Sequence, residues 1–365
     1  MSPRHLLGIS LLALVVALEA TVALAGSTGG TWRSVVREPV ALPYGASIWT
    51  GSRLIVFGRR PLTKTTYNPS VNAAISFDPV ANRWKTLSPP AQSGVAPACC
   101  RTVWTGRRLL VFGADLAYDP RTGAWRPLHA SVPEGTVAWT GREAIGWGGG
   151  CCGEARSNGA AYNPSTDSTR TLPRSPLAPS QEPLGAWDGH ELLLFVSGRT
   201  PYGTPYPARL ARAAAYNPAT NRWRRIAPLP AAFSDRGAWT GRELIVVGAG
   251  AKRCGTFAYD PEANRWRQLA RLTSSRPAAT VLWTGDRLVA WGGGSGRAGV
   301  AYDPATNRWT PLPQPPLRAP GTASVVWTGR ALVAFGGVIG SSAATDNRQV
   351  WPRDVAAFTP AARRS

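Results

Sequence analysis

The side chains of this chain that can do chemistry are mostly arginines. Lysine and arginine together number 41 against 20 aspartates and glutamates, so the formal charge is +21. The only lysines are Lys64, Lys85 and Lys252, and many arginines stand singly in repeated Asn-Arg-Trp turns. A nucleic-acid surface needs clustered cations. The spread of the arginines over many turns therefore disfavours a nucleic-acid partner.

Four arginines come shortly before recurring Trp-Thr-Gly tripeptides and are candidates for an anion site. Guanidinium groups bind carboxylates through paired hydrogen bonds. If these arginines ring a central channel, they suit an anionic ligand. The alternative is structural, with each arginine bonding a carbonyl or carboxylate of a neighbouring unit. The four are Arg101, Arg236, Arg276 and Arg318.

Groups that titrate near neutral pH are scarce. After the first 25 residues the only histidines are His129 and His190, which disfavours a Ser-His-Asp arrangement. The carboxylates outside the repeated turns are too scattered to choose an acid–base pair. We therefore predict no catalytic residue, no metal and no cofactor. These scattered carboxylates are Glu38, Asp115, Glu134, Glu154, Glu182, Asp235, Asp346 and Asp354.

The five cysteines fall in three places, Cys99-Cys100, Cys151-Cys152 and Cys254. In an exported protein the first two pairs predict a disulfide that joins Cys99 or Cys100 to Cys151 or Cys152, with Cys254 left out. Zinc held by four thiolates is the alternative. Adjacent cysteines lack the two-residue gap of common zinc knuckles, so the disulfide is favoured.

The elements that carry these residues repeat seven times. Trp-Thr-Gly opens a unit six times and Trp-Asp-Gly opens it once; each is followed by an apolar run that ends in glycine and then by an aromatic-Asp/Asn-Pro turn. Short strands and turns at such a period are typical of radial all-β folds, in which no unit buries its apolar faces alone. The units open at Trp49, Trp104, Trp139, Trp187, Trp239, Trp283 and Trp327.

A second tryptophan follows the aromatic of the turn with six residues between them. This holds for Phe77 and Trp84, Tyr118 and Trp125, Tyr216 and Trp223, Tyr259 and Trp266, and Tyr302 and Trp309. Together with glycine doublets such as Gly336-Gly337, this pattern resembles the kelch repeat. The resemblance implies a seven-bladed β-propeller with four antiparallel strands, a to d, in each blade. Galactose oxidase shares the repeat, but its copper site requires histidines, tyrosines and a tyrosine-linked cysteine, so we expect no copper oxidase here.

The strand order predicts two different faces. The tight a–b and c–d turns lie on one, the turn face, and the b–c and d–a connections share the other, the loop face. The long b–c loops span 58–73, 198–213 and 337–355, and their aromatic residues suit stacking on a sugar. The alternative is that these rings only cover the backbone of their own loops. The stacking candidates are Tyr202, Tyr206 and Trp351.

The two ends of the chain predict how the ring closes. The seventh unit ends in Phe358-Thr359-Pro360 and has no d strand after it. Trp32 stands 17 residues before Trp49, the distance that also separates Trp266 from Trp283. We therefore predict that a strand around 32–36 completes the last blade, within one propeller domain over 26–365.

The first 25 residues are typical of a signal peptide. Arg4 and His5 precede an apolar stretch, and Ala23-Leu24-Ala25 predicts cleavage after Ala25. A retained membrane anchor is the alternative, and no later segment is long enough to cross a bilayer. The sequence therefore predicts a secreted or cell-envelope protein, which we expect to be a monomer.

Two classes of function fit these features. The first is a non-catalytic binding module for a glycan, an anionic envelope polymer or a protein, which uses the loop face. The second follows from the resemblance: a carbohydrate-active enzyme similar to kelch-type proteins that process sialic-acid-type sugars, with the arginines holding a substrate carboxylate. The two differ in whether a carboxylate or histidine reaches a central pocket lined by those arginines.

Overall fold

The computed structural model describes residues 29–361 except 44, 63–69, 90–99, 151–152, 231–235, 249–254, 273–277, 293–298 and 340–348. The regular structure in these ranges is all strand. No helix long and apolar enough to cross a membrane occurs among them.

The strands form seven four-stranded antiparallel sheets, the blades, numbered here in chain order. The first strand, β1 (Gly30–Val35), belongs to the last blade. The first blade is β2 (Ala46–Trp49), β3 (Leu54–Pro61), β4 (Ser70–Asp78) and β5 (Arg83–Leu87). The second is β6 (Arg101–Trp104), β7 (Leu109–Phe112), β8 (Leu116–Asp119) and β9 (Ala124–Pro127). The third is β10 (Thr136–Trp139), β11 (Ala144–Trp147), β12 (Gly159–Asn163) and β13 (Ser168–Thr171).

The remaining blades follow the same order. The fourth is β14 (Leu184–Trp187), β15 (Leu192–Phe195), β16 (Ala213–Asn217) and β17 (Arg222–Arg225). The fifth is β18 (Gly237–Trp239), β19 (Leu244–Val247), β20 (Thr256–Asp260) and β21 (Arg265–Leu269). The sixth is β22 (Thr280–Trp283), β23 (Leu288–Trp291), β24 (Gly299–Asp303) and β25 (Arg308–Pro311). The seventh is β26 (Ser324–Trp327), β27 (Leu332–Phe335), β28 (Val355–Pro360) and β1.

The blades close into a ring around their a strands. Each a strand contacts the a strand of the next blade, and β26 contacts β2. The core is divided in the same way, because its clusters of buried residues draw from neighbouring blades. Leu184 and Phe195 of the fourth blade, for example, pack with Leu244 and Val246 of the fifth. A single blade therefore buries its faces only when its neighbours are present.

Strand β1 closes the ring, as the spacing of Trp32 predicts. It pairs antiparallel with β28 and places Trp32 opposite Phe358. The same register puts Trp223 opposite Tyr216 and Trp309 opposite Tyr302 within the other blades. The rings of Trp32 and Phe358 lie 5.2 Å apart. The predicted closing strand is confirmed, although it begins at Gly30 rather than near residue 32.

The tryptophan of the d strand also ties five of the blades to the blade before. In these five its indole N–H donates to the carbonyl four residues past the equivalent position of the preceding blade, whereas the buried indole N–H of Trp125 has no partner among the described residues. Trp266 donates to Ala227 and Trp309 to Ala270, at 3.0 and 2.9 Å. Trp32 does the same to Pro313 at 2.7 Å. The third blade has Thr169 at this position, opposite Tyr162.

Asparagine has a structural role in the c–d turns that the Asn-Arg-Trp motif by itself does not predict. Asn221, Asn264 and Asn307 have φ of 55°, 48° and 53°, the left-handed region that asparagine tolerates well. The side-chain oxygen of each accepts a hydrogen bond from the tyrosine hydroxyl at the end of the c strand. Asn264 also accepts the backbone N–H of Ala227 in the preceding blade. The Asn of the Asn-Arg-Trp motif thus joins two blades.

Candidate functional site

The predicted arginines lie in different surroundings on the loop face. Arg101 is the first residue of β6, and Arg236 directly precedes β18. Both stand three residues before the tryptophan of their unit, so they occupy equivalent positions in the second and fifth blades. Arg101 donates to the carbonyl of Gly135 in the next blade at 3.3 Å, which is the structural bond considered from the sequence. Arg276 lies outside the described residues.

Arg318 belongs to a cluster of charged residues beside the ring-closing strand. Its Nε lies 2.7 Å from Oδ2 of Asp354, and Nη2 of Arg37 lies 2.8 Å from Oδ1 of the same carboxylate. Burial raises the pKa of Asp354, but the hydrogen bonds from Arg318 and Arg37 outweigh this effect and hold the pKa at about 2. Asp354 is therefore charged at neutral pH, and its two arginines are positioned by it.

Glu38 is the most unusual group of this region. Its side chain is buried, with 2% of the residue exposed. Burial raises its pKa to about 8, and Asp354 adds to the increase while Arg353 opposes it. Its Oε2 makes no hydrogen bond to any described residue. Glu38 is thus protonated at neutral pH, in the way that buried carboxylic acids often are.

Backbone bonds hold this region together. The N–H of Glu38 donates to the carbonyl of Arg353 at 3.0 Å, and the guanidinium of Arg353 donates to the carbonyl of Pro39 at 2.9 Å. We call the group formed by Arg37, Glu38, Arg318, Arg353 and Asp354 the closure cluster, because it joins the segment after β1 to the segment before β28. The sequence carried a signal for it: pairing Trp32 with Phe358 brings residues 36–38 beside 352–354.

The three predicted aromatic residues differ in how much surface they offer. Tyr202 is 82% exposed, and its hydroxyl approaches Gly153 of the neighbouring blade so closely that a Cβ there would lie 2.1 Å from it. Tyr206 packs against the core between the third and fourth blades. Trp351 is half-buried, and its buried indole N–H has no partner among the described residues. Only Tyr202 of these three presents most of its ring to solvent.

A cleft of about 270 Å³ lies on the loop face, and Pro201, the residue before Tyr202, is part of its lining. It is lined by residues from the third and fourth blades and the connection between them, including Glu182, Arg199 and Thr200. Arg199 is fixed within its own loop, because its Nη1 donates to the carbonyl of Gly203 at 2.7 Å. A fixed guanidinium and a carboxylate residue therefore line this cleft, and the exposed side chain of Tyr202 follows directly after its lining residue Pro201.

Histidine and cysteine do not assemble a metal site in the described part of the chain. Nδ1 of His129 is 2.8 Å from Oδ2 of Asp167, and His190 stands in the a–b turn of the fourth blade. Nowhere in the described ranges do three or more His, Cys, Asp or Glu side chains gather so that they could hold an ion. Cys100 is buried, whereas Cys99, Cys151, Cys152 and Cys254 lie outside these ranges, so the disulfide stays a prediction.

Comparison with known proteins supports the fold of this chain. No protein-family model and no curated protein matches this chain. Among solved structures, it matches a novel fungal alcohol oxidase with catalytic diversity among the AA5 family, in complex with copper. The TM-score is 0.61 at 15% identity, over 91% of this chain and 76% of that one. This likeness confirms the fold of a galactose-oxidase-like, kelch-type propeller. The described histidines do not fit a copper site, and we derive no copper chemistry for this chain.

Proposed function

We propose that this propeller is an exported, non-catalytic binding module whose loop face binds a glycan, an anionic envelope polymer or a protein. The observation that carries the proposal is Tyr202, an aromatic side chain that is 82% exposed and directly follows Pro201, which lines a cleft together with Arg199 and Glu182. Large aromatic rings are costly to leave in water and commonly stack on ligands. Export is supported by the first 25 residues, and N-terminal sequencing of the secreted protein tests cleavage after Ala25.

Stacking on Tyr202 defines the first contact of the proposed site. The ring stands where the b–c loops of the third and fourth blades meet, since its hydroxyl lies against Gly153. Sugar rings present C–H faces that pack on aromatic rings and hydroxyls that pair with arginine and carboxylate side chains. Tyr206 and Trp351, which are more buried, are the further stacking candidates.

Arginines define the anion contact of the proposal. Arg101, Arg236, Arg276 and Arg318 remain the candidates for a ligand carboxylate. Arg318 is 53% exposed although Asp354 holds it, so its guanidinium is pre-positioned near solvent. Two such charge-assisted contacts are worth about 1.5 to 3 kcal/mol each.

A glycan-array and pull-down screen with residues 26–365 tests this function directly. Once a ligand is identified, we expect Tyr202→Ala, or Arg236→Ala with Arg276→Ala, to weaken it at least tenfold. Arg222→Gln, which changes an exposed residue of the turn face, is the matched control and should leave affinity unchanged. If Arg222→Gln loses affinity while the other variants keep it, the ligand binds on the turn face and the proposal is wrong.

The alternative is a carbohydrate-active enzyme, and Glu38 is the observation in its favour. A carboxylic acid that keeps its proton at neutral pH meets one requirement of a general acid. A general acid must contact its substrate, and Glu38 is buried. We therefore place the enzyme second to the binding module. Release of sugar from sialic-acid-type substrates by the intact protein, lost in Glu38→Gln, would establish the enzyme. Absence of turnover together with glycan binding would establish the module.

A further inference from the structure

Two clefts on the turn face repeat one another two blades apart. One lies between the third and fourth blades and has a volume of about 570 Å³; the other lies between the fifth and sixth and measures about 410 Å³. Both are lined by the same positions of the repeat, including the tryptophan that opens the following unit, Trp187 or Trp283. Both tryptophans are half-buried, so part of each ring is accessible.

Each cleft contains a carboxylate held by an arginine of the d strand. Nη2 of Arg170 lies 2.5 Å from Oε1 of Glu143, and Nη2 of Arg267 lies 2.7 Å from Oε1 of Glu243. These ion pairs fix carboxylate oxygens in place beside the tryptophan. Hydroxyl groups of a ligand can donate to such oxygens, whereas a phosphate cannot.

Each cleft also has an arginine that no described residue engages. Arg142 and Arg242 precede the two glutamates and are exposed, and their guanidinium groups make no hydrogen bond or ion pair within the described ranges. With these arginines, the first cleft has two cationic side chains and one carboxylate, and the second has three and two. Counting the arginines and carboxylates of the lining, both clefts therefore carry one net positive charge.

We propose that the two clefts bind carboxylate-bearing sugar units that stand some distance apart along one chain of an acidic polysaccharide. The sugar ring packs on Trp187 or Trp283, its hydroxyls donate to Glu143 or Glu243, and its carboxylate pairs with Arg142 or Arg242. One polymer that occupies both clefts gains avidity, because the second contact is intramolecular. This surface is separate from the loop face, so its test does not depend on the function proposed there.

Polygalacturonate and digalacturonate are suitable probes of residues 26–365, titrated by calorimetry at fixed salt. We expect polygalacturonate to bind more tightly per site than digalacturonate, and Arg142→Gln with Arg242→Gln to weaken polygalacturonate at least tenfold. Arg142→Gln alone should remove most of the advantage of the longer ligand. The matched control is Arg107→Gln with Arg330→Gln, which removes the same charge at the same turn position in two blades without the Glu–Arg pair.

Three results would overturn the proposal. The first is equal weakening by the control pair, which would show that only net charge matters. The second is no binding of polygalacturonate by the unaltered protein. The third is duplex DNA that binds more tightly than polygalacturonate and is lost in the same Arg142 and Arg242 variants, which would identify a nucleic-acid surface instead.

Discussion

The two faces of the ring are built in different ways. On the turn face a few hydrogen bonds recur: the hydroxyls of Thr50, Thr140 and Thr240 each bond both the N–H and the carbonyl of the residue three positions later. On the loop face neighbouring connections differ, since β3 and β4 extend as far as Pro61 and Ser70 whereas β7 and β8 are joined by three residues. Repeated hydrogen bonds therefore stabilise the turn face, and contacts that occur once, such as the closure cluster, stabilise the loop face.

Charge shows how much variation the turn face accepts. Four residues after the opening tryptophan, three blades carry an arginine and three a glutamate. The arginine lies near the aspartate that ends its own c strand, and the glutamate pairs with an arginine of its own d strand. All six blades therefore keep an ion pair at this position, but the residue there is positive in three blades and negative in the other three. The arginine pairs are Arg53–Asp78, Arg108–Asp119 and Arg287–Asp303, and the glutamate pairs are Glu143–Arg170, Glu191–Arg224 and Glu243–Arg267.

The largest effect should come from removing the contact that completes the ring. A chain that begins at residue 39 lacks β1, and with it the pairing to β28 and the bond from Trp32 to Pro313. We expect it to lose cooperative unfolding, or to melt about 10 °C or more below the chain that begins at residue 26. Thermal unfolding by circular dichroism measures this. A chain that begins at residue 29 is the control and should match the longer one; equal melting of all three would refute closure by β1.

The next effect concerns the buried acid of the loop face. The folded-state pKa of Glu38 is raised to about 8 from 4.5, so the unfolded chain releases this proton first. Stability from this group is therefore complete below about pH 4.5 and declines as the pH rises towards 8. Glu38→Gln should remove that decline and stabilise the protein by about 3 to 5 kcal/mol at pH 8.

Denaturant unfolding of both proteins at pH 5 and pH 8 checks this. Asp354→Asn serves as the opposite case: its pKa is lowered to about 2, so its contribution is present above the ordinary value and is lost as the pH falls. That variant should weaken the protein at pH 7 and not at pH 2. A parallel pH dependence in Glu38→Gln and the unaltered protein would show that Glu38 is not buried as described.

A smaller effect is expected at the repeated turns. Asn264→Gly keeps the left-handed backbone but removes the acceptor of the Tyr259 hydroxyl and the Ala227 N–H. We expect a loss of about 1 to 3 kcal/mol, one neutral hydrogen bond being worth about 1 kcal/mol. Asn82→Gly is the matched control, because Phe77 of that blade has no hydroxyl and Asn82 makes no side-chain bond to a described residue. Equal losses at the two positions would contradict the role assigned to Asn264.

The smallest effect on stability should come from Tyr202. Its ring is mostly in solvent, so Tyr202→Ala should change the free energy of unfolding by less than about 0.5 kcal/mol. Tyr206→Ala, in the same loop, removes a ring that packs against the core and should cost more than about 1 kcal/mol. Chemical denaturation of the pair separates a binding residue from a packing residue. A comparable loss in both variants would make Tyr202 structural.

The features that could be predicted from the sequence are those that recur in each repeat unit. The spacing of Trp32 from Trp49 led to the closing strand, because a repeat fixes where each strand must pair. The closure cluster was harder to foresee: Glu38 and Asp354 were among the scattered carboxylates, and only the pairing across 317 residues brings Arg37 to Asp354. The predicted ring of arginines assumed that all four occupy the same surroundings in their blades. The structure instead places Arg318 against Asp354 and Arg101 against Gly135.

Strand β1 precedes all the other described strands in the chain and pairs with the one that follows them all, which imposes an order on folding. In a chain synthesised from its N-terminus, β1 is exposed to water until β28 has been made, so this strand must remain soluble without its partner during that time. The composition of β1 favours solubility before pairing. Thr31, Arg33 and Ser34 are exposed even in the closed ring, and Trp32 is the only residue of this strand with a large apolar ring. The last hydrogen bonds to form are then those that make the circle continuous.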